Sequence, residues 1–186
     1  MGKMIFVTGG ARSGKSGFAE DLLRNEQNVL YIATATPFDD EMKERIRLHR
    51  ARRNPSWTTI EAYRDLGRKL KHYPGVKESV LLDCITVMIS GLMFADSLVD
   101  WENAGTELMN VMEKNVLKEI DDFNSAVREF SGKIVIVSNE IGMGIVPATP
   151  LSRCFRDIAG RVNQNLAAAS DEVYFVVSGI PVRIRG

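Results

Sequence analysis

The sequence predicts a doubly wound α/β domain, and three observations predict it. Short, continuously apolar, β-branched runs recur along the chain. Longer segments with helical apolar stripes alternate with them. A glycine-rich turn joins the first run to the first stripe. The runs are "MIFV" (Met4–Val7), "VLYIA" (Val29–Ala33), "SVLLD" (Ser79–Asp83), "KIVIVS" (Lys133–Ser138) and "EVYFVVS" (Glu172–Ser178). Continuous rather than alternating hydrophobicity is what a strand needs when a parallel sheet is covered on both faces.

Between the runs, the stripes follow helical spacing. Phe18, Ala19, Leu22 and Leu23 form the first. Val116, Ile120, Phe123, Val127 and Phe130 form another, on a segment from about Gly105 to Phe130. Phe155, Ile158, Ala159 and Val162 begin a third, in a stretch whose small residues permit close packing. After the last run, Gly179 and Pro181 lead into "VRIR", which fits a turn into an antiparallel C-terminal edge strand. No repeat, linker or low-complexity tract interrupts the pattern, so residues 1–186 are expected to form a single domain, long enough to bury a core without staples.

Composition narrows the class. Lys+Arg and Asp+Glu number 24 each, so no whole-protein field favours nucleic acid or anionic lipid. No apolar run approaches the roughly 18 residues of a membrane span, and "MIFV" is too short for a secretory core. Cys84 and Cys154 are far apart and in no metal-ligand spacing, which fits reduced thiols. The expectation is a cytoplasmic protein.

The turn after the first run reads Gly9, four residues, Gly14, Lys15 and Ser16. Following a strand and opening a helix, this is a phosphate loop: glycines let backbone N–H groups converge on an anion, and the helix start adds partial positive charge. Lys15 can reach the β- and γ-phosphates, and the Ser16 hydroxyl can ligate Mg²⁺. Asp83, at the end of "SVLLD", stands where such a protein keeps its second metal-holding acid. The competing reading for Asp83 is a cap on the following helix.

"DDEMKERIRLHRARR" opens with cap candidates Asp39 and Asp40 and offers Asp39/Lys43 and Glu41/Arg45 pairs at helical spacing. Met42, Ile46, His49 and Arg53 share one face, flanked by Arg45, Arg50 and Arg52. Positive neighbours disfavour the imidazolium, keeping His49 neutral and nucleophilic, and the arginines can hold phosphates. Such a histidine can attack an α-phosphate and carry a nucleotidyl group. Alternatively His49 is structural and the arginines a solvated face. His72, in "KLKHYPG", reads as a helix-end cap or surface residue.

In order along nearly the whole chain, "TGGARSGKS", "YIATA", "DDEMKERIRLHRARR", "WTTIEA", "VLLDC", "SNEIGMGIVP" and "RCFRDIAGRVNQNLAAASDEVYFVVSGIPVRI" resemble the bifunctional adenosylcobinamide kinase/adenosylcobinamide-phosphate guanylyltransferase family of cobalamin biosynthesis. The resemblance implies a RecA-like P-loop domain with a mostly parallel sheet flanked by helices. It also implies two reactions at one site. ATP or GTP phosphorylates the aminopropanol hydroxyl of the corrinoid; GTP then guanylylates a histidine, and the GMP passes to the new phosphate. That histidine falls on His49, with Lys15 as its catalytic companion. The nucleotide contacts fall on Thr8, Gly9, Gly10, Ala11, Arg12, Ser13, Gly14, Lys15 and Ser16, on Ala33, Thr34 and Ala35, on Arg50, Ala51, Arg52 and Arg53, and on Glu61 and Asp83. Mg²⁺ on Ser16 and Asp83, with GTP and ATP as substrates, completes the set. Family members look like trimers with the active site near a subunit boundary.

One departure is the segment after Asp83, "TVMISGLMF", where family members often carry Trp and Asn. Met88 and Gly91 there read as helix core, because Met fills apolar gaps. Asn139 and Glu140, in the loop after the fourth apolar run, could touch substrate or merely turn the chain. Two other readings remain open: a monofunctional small-molecule kinase with His49 structural, and a nucleotide sensor, which lacks an "NKxD"-type tetrad here.

Overall fold

The computed structural model describes residues 2–35, 40, 43–44, 46–47, 50, 53–74, 78–95, 101 and 105–186. Among them the elements run β1 (Lys3–Gly9), α1 (Lys15–Asp21), β2 (Val29–Ala33), β3 (Thr58–Glu61), α2 (Leu66–Lys71), β4 (Ser79–Asp83), α3 (Ile85–Met93), α4 (Thr106–Glu129), β5 (Lys133–Asn139), α5 (Pro150–Ala169), β6 (Glu172–Val177) and β7 (Ile180–Arg185). The seven strands form one sheet in the order β3-β2-β4-β5-β1-β6-β7. Every neighbouring pair is parallel except β6 with β7, which is antiparallel. This is an α/β fold with a mostly parallel sheet, helices on its faces and an antiparallel C-terminal edge.

The strands alternate their side chains between two apolar layers, which is why their sequences read as unbroken hydrophobic runs. Met4, Phe6, Leu30, Ile32, Val80, Leu82, Ile134 and Ile136 face α2, α3, α4 and α5. Ile5, Val7, Val29, Tyr31, Leu81, Val135 and Val137 face α1 and Trp57. Met88 is fully buried in the first layer, as its place in "TVMISGLMF" predicts.

The long helix α4 buries Val116, Ile120, Phe123 and Val127, four of the five residues of its predicted stripe. Phe130 sits just past it and packs on the same layer partly buried. Thr149 caps α5 by accepting from Ser152 N, with Pro150 in the first turn. Two elements escaped the sequence pattern. β3 has only four residues, half-exposed in alternation at the sheet edge, and of α2 only its end at His72 was legible.

Parallel pairing aligns the carboxyl ends. Ala33 pairs with Glu61 on one side and Asp83 on the other, and Gly9 pairs with Asn139 and Val176. The residues expected to handle phosphate therefore lie along one edge, where open α/β sheets hold ligands.

Candidate functional site

The phosphate loop is closed by hydrogen bonds to the strands around it. Ser13 N donates to Gly10 O (3.2 Å), Glu140 N to Gly9 O (2.9 Å), and Gly179 N to Ser13 O (2.8 Å). Gly9 passes so close to β6 that an added Cβ would meet the Val176 carbonyl, with Ser13 Oγ at 2.8 Å. Gly14 has φ 93°, a left-handed conformation that side chains resist, and stands as the N-cap of α1 without a side-chain cap. Only glycine suits either position.

Lys15 is buried at 8% exposure, and its Nζ donates to Gly10 O at 3.0 Å. Burial holds its ammonium below the ordinary lysine pKa, while nearby Cys84 and Asp83 pull the other way. Among the described residues, Thr8 Oγ1 and Ser13 Oγ are buried and have no hydrogen-bond partner. Buried hydroxyls without partners are costly; Thr8 lies near the end of β1 and Ser13 in the turn that follows, where phosphate oxygens are expected. Ala11 and Arg12 are exposed at its tip, Arg12 with φ 58°.

Asp83 does not cap the following helix. That position belongs to Cys84, with no side-chain cap. Instead Asp83 Oδ2 accepts from Tyr31 Oη at 3.0 Å. Tyr31 is 1% exposed; burial first, and then the Asp83 charge, push its phenol pKa up, so it remains a donor. The Arg53 guanidinium lies over its ring, 4.4 Å from the centroid.

Thr34 ties the ends of β2 and β4 together. Its N–H donates to Asp83 O (3.2 Å), its hydroxyl donates to Cys84 O (2.7 Å), and Cys84 N–H donates to that hydroxyl (2.9 Å). Ala33 accepts from Ala62 N at 3.0 Å. Arg50 pairs with Glu61 at the end of β3, and Glu61 borders a groove of about 520 Å³ with Ile60, Ala62, Arg68, Lys69 and His72.

The structure thus brings Lys15, Asp83, Ala33, Thr34 and Glu61 to one edge, with Arg50 paired to Glu61 and Arg53 over the ring of Tyr31. His49, Ala51 and Arg52 lie outside the described residues, as do Met42, Arg45, Asp39 and Glu41 of the expected helix. The described ion pairs with both partners in that segment are Lys43 with Asp40 and Arg47 with Glu44, both at i,i+3.

Asn139 and Glu140 are both hydrogen-bonded within the fold. Asn139 Nδ2 donates to Thr86 Oγ1 (2.6 Å), Asn163 Nδ2 donates to Asn139 O (3.0 Å), and Ser138 Oγ donates to Asn163 Oδ1 (2.7 Å). Glu140 accepts from Gly142 N. His72 is the C-cap of α2, its Nδ1 donating to Arg68 O at 2.9 Å. Both cysteines are free, and burial, aided by Asp83, pushes the Cys84 thiol up to about 11.

Sequence reasoning missed Tyr31. Its signal was a single hydroxyl in the otherwise apolar "VLYIA", on the strand beside the one that ends in Asp83.

Among the described residues no helix is long and apolar enough to cross a membrane, and no three His, Cys, Asp or Glu side chains converge as a preformed metal cage. Mg²⁺ takes one or two protein oxygens plus substrate phosphates. The Ser16 hydroxyl at the start of α1 and the Asp83 carboxylate at the end of β4 are donors of the kind that demand calls for.

Comparison with known proteins fits this geometry. The family described as cobinamide kinase / cobinamide phosphate guanyltransferase matches residues 5–184. The bifunctional adenosylcobalamin biosynthesis protein CobU of Salmonella typhimurium is 47% identical over 186 residues, covering 98% of this chain and 99% of the relative. Its counterpart in Escherichia coli shows the same identity and coverage. CobP of Pseudomonas aeruginosa is 36% identical over 181 residues, covering 97% and 96%. A solved structure from Pyrococcus horikoshii OT3 aligns with TM-score 0.54 at 8% identity, over 99% of this chain and 86% of that one, a likeness of fold alone.

Proposed function

The chain belongs to the cobinamide kinase / cobinamide phosphate guanyltransferase family, and from that premise we propose that it carries out both reactions at the edge formed by the phosphate loop, Asp83 and Glu61. It phosphorylates adenosylcobinamide from GTP or ATP, then transfers GMP from GTP to the product, giving adenosylcobinamide-GDP in cobalamin biosynthesis. The observation that carries this reading is the family match over almost the whole chain, with near-full-length relatives at 47% identity.

Residues 1–186 act as one P-loop domain. The backbone N–H groups from Gly9 to Ser16 and the Lys15 ammonium hold the β- and γ-phosphates and stabilise the charge that develops on them during transfer. Thr8, near the end of β1, and Ser13, in the loop, supply hydroxyls. Ser16 and Asp83 hold Mg²⁺, which when bound neutralises charge on the phosphate oxygens. Ala33, Thr34, Ala35 and Glu61 border the nucleoside, and Arg50, Ala51, Arg52 and Arg53 the phosphates nearest the nucleophile.

In the second reaction a nitrogen of His49 attacks the α-phosphorus of GTP. An N–P bond forms, the α,β-bridging P–O bond breaks, and pyrophosphate leaves with that electron pair. The corrinoid phosphate then attacks the same phosphorus and releases the neutral imidazole. The chain works as a trimer. Ile180, Val182 and Ile184, exposed on one face of the edge strand β7, support an association of copies.

The test is adenosylcobinamide with Mg²⁺ and GTP, the phosphate and GDP products being followed separately. The reading requires both products in sequence, with pyrophosphate matching the second. The alternative, a monofunctional kinase with His49 structural, would stop at the phosphate.

A further inference from the structure

Tyr31 is an odd residue for its place. Its ring lies in the apolar layer with Val29, Ala33, Leu81 and Val137, where phenylalanine would fill the same volume without a buried hydroxyl. The hydroxyl donates to Asp83 Oδ2 at 3.0 Å. β2 and β4 are neighbours, and Tyr31 pairs with Leu81, two residues before Asp83, so the bond spans adjacent strands near their carboxyl ends. Arg53 covers a face of the ring, 4.4 Å from its centroid.

We infer that Tyr31 is a positioning residue for the metal-holding carboxylate: its hydroxyl, on a ring covered by Arg53, holds the orientation of Asp83. The inference rests on the metal role proposed above for Asp83. A partner that orients a metal-ligating carboxylate is worth about 10–100-fold in metal affinity or activity when removed.

The experiment compares wild type, Tyr31→Phe and Asp83→Asn. Mn²⁺ binding in the presence of a non-hydrolysable GTP analogue is titrated by electron paramagnetic resonance. Analogue binding without metal and the thermal midpoint are measured on the same preparations. Tyr31→Phe keeps the ring, its packing and the Arg53 contact. The expected result is Mn²⁺ affinity weaker by about tenfold in Tyr31→Phe and at least as much in Asp83→Asn, with metal-free analogue affinity changed less than about twofold in Tyr31→Phe. A Tyr31→Phe protein that binds Mn²⁺ like wild type while Asp83→Asn does not would overturn the inference and leave the Asp83 reading standing; so would a lowered thermal midpoint with unchanged Mn²⁺ affinity. Unchanged affinity in Asp83→Asn would overturn both.

Discussion

Arg50 donates to Glu61 Oε1 through both Nε (2.9 Å) and Nη2 (2.5 Å), joining the arginine-rich segment to the carboxyl end of β3. Both side chains are about half exposed, 57% and 45%. An exposed pair of this kind contributes about 0–1 kcal/mol to stability. Under the proposed function, its value is to hold a cation where a phosphate is expected.

Glu61→Ala should therefore move function more than stability. The thermal midpoint should fall by no more than about 2–4 °C, the shift of about 1 kcal/mol in a chain of this size. KM for GTP should rise on the order of tenfold, equivalent to about 1.4 kcal/mol. Differential scanning calorimetry and steady-state kinetics read the two effects separately. A large loss of stability with unchanged KM would make the pair a fold element only.

Met88 tests the opposite case. It is 0% exposed in the layer under the sheet, so Met88→Ala leaves a cavity and should cost about 2–5 kcal/mol in a denaturant titration. KM for the corrinoid should stay within about twofold, since ~0.4 kcal/mol separates such values. A corrinoid KM that rises while stability holds would return this helix to the substrate pocket.

The cysteines differ in environment, and thiol reagents should separate them. Cys84 is 8% exposed, and its pKa is pushed up to about 11 by burial and the Asp83 charge. Cys154 is half-buried and its pKa is also raised, burial again leading. The thiolate is the reactive form. At pH 8 the native protein should yield one accessible thiol, traced by peptide mass to Cys154. Cys84 should become reactive on unfolding, or as pH climbs toward its raised value. Fast native modification of Cys84 would contradict its placement.

What the sequence disclosed follows from how strongly each feature depends on local pattern. The five central apolar strands are legible because burial on both faces leaves no polar alternation to confuse them; Val29–Ala33 and Ser79–Asp83 match residue for residue. The phosphate loop is legible because Gly9 and Gly14 meet backbone demands no other residue satisfies. β3 was hidden: four residues with alternate exposure at a sheet edge carry too little pattern, and only pairing with β2 makes them a strand. The Tyr31–Asp83 bond was hidden for another reason. It joins residues 52 positions apart, and no periodicity reports a contact across strands. Asp83 as metal acid or helix cap could not be decided from the chain alone. The structure gives the cap position to Cys84, and the metal role stays with the proposal.

One histidine divides the two-reaction account from an ordinary kinase. The direct measurement is incubation of the protein with Mg²⁺ and GTP labelled at the α-phosphate, without corrinoid, followed by denaturation and peptide mapping. The account predicts label bound to the protein, lost in acid, kept in base, mapped to His49, absent in His49→Ala and discharged by added adenosylcobinamide phosphate. A wild-type protein that turns over the kinase reaction yet never acquires label, or a His49→Ala protein that still does, would contradict it.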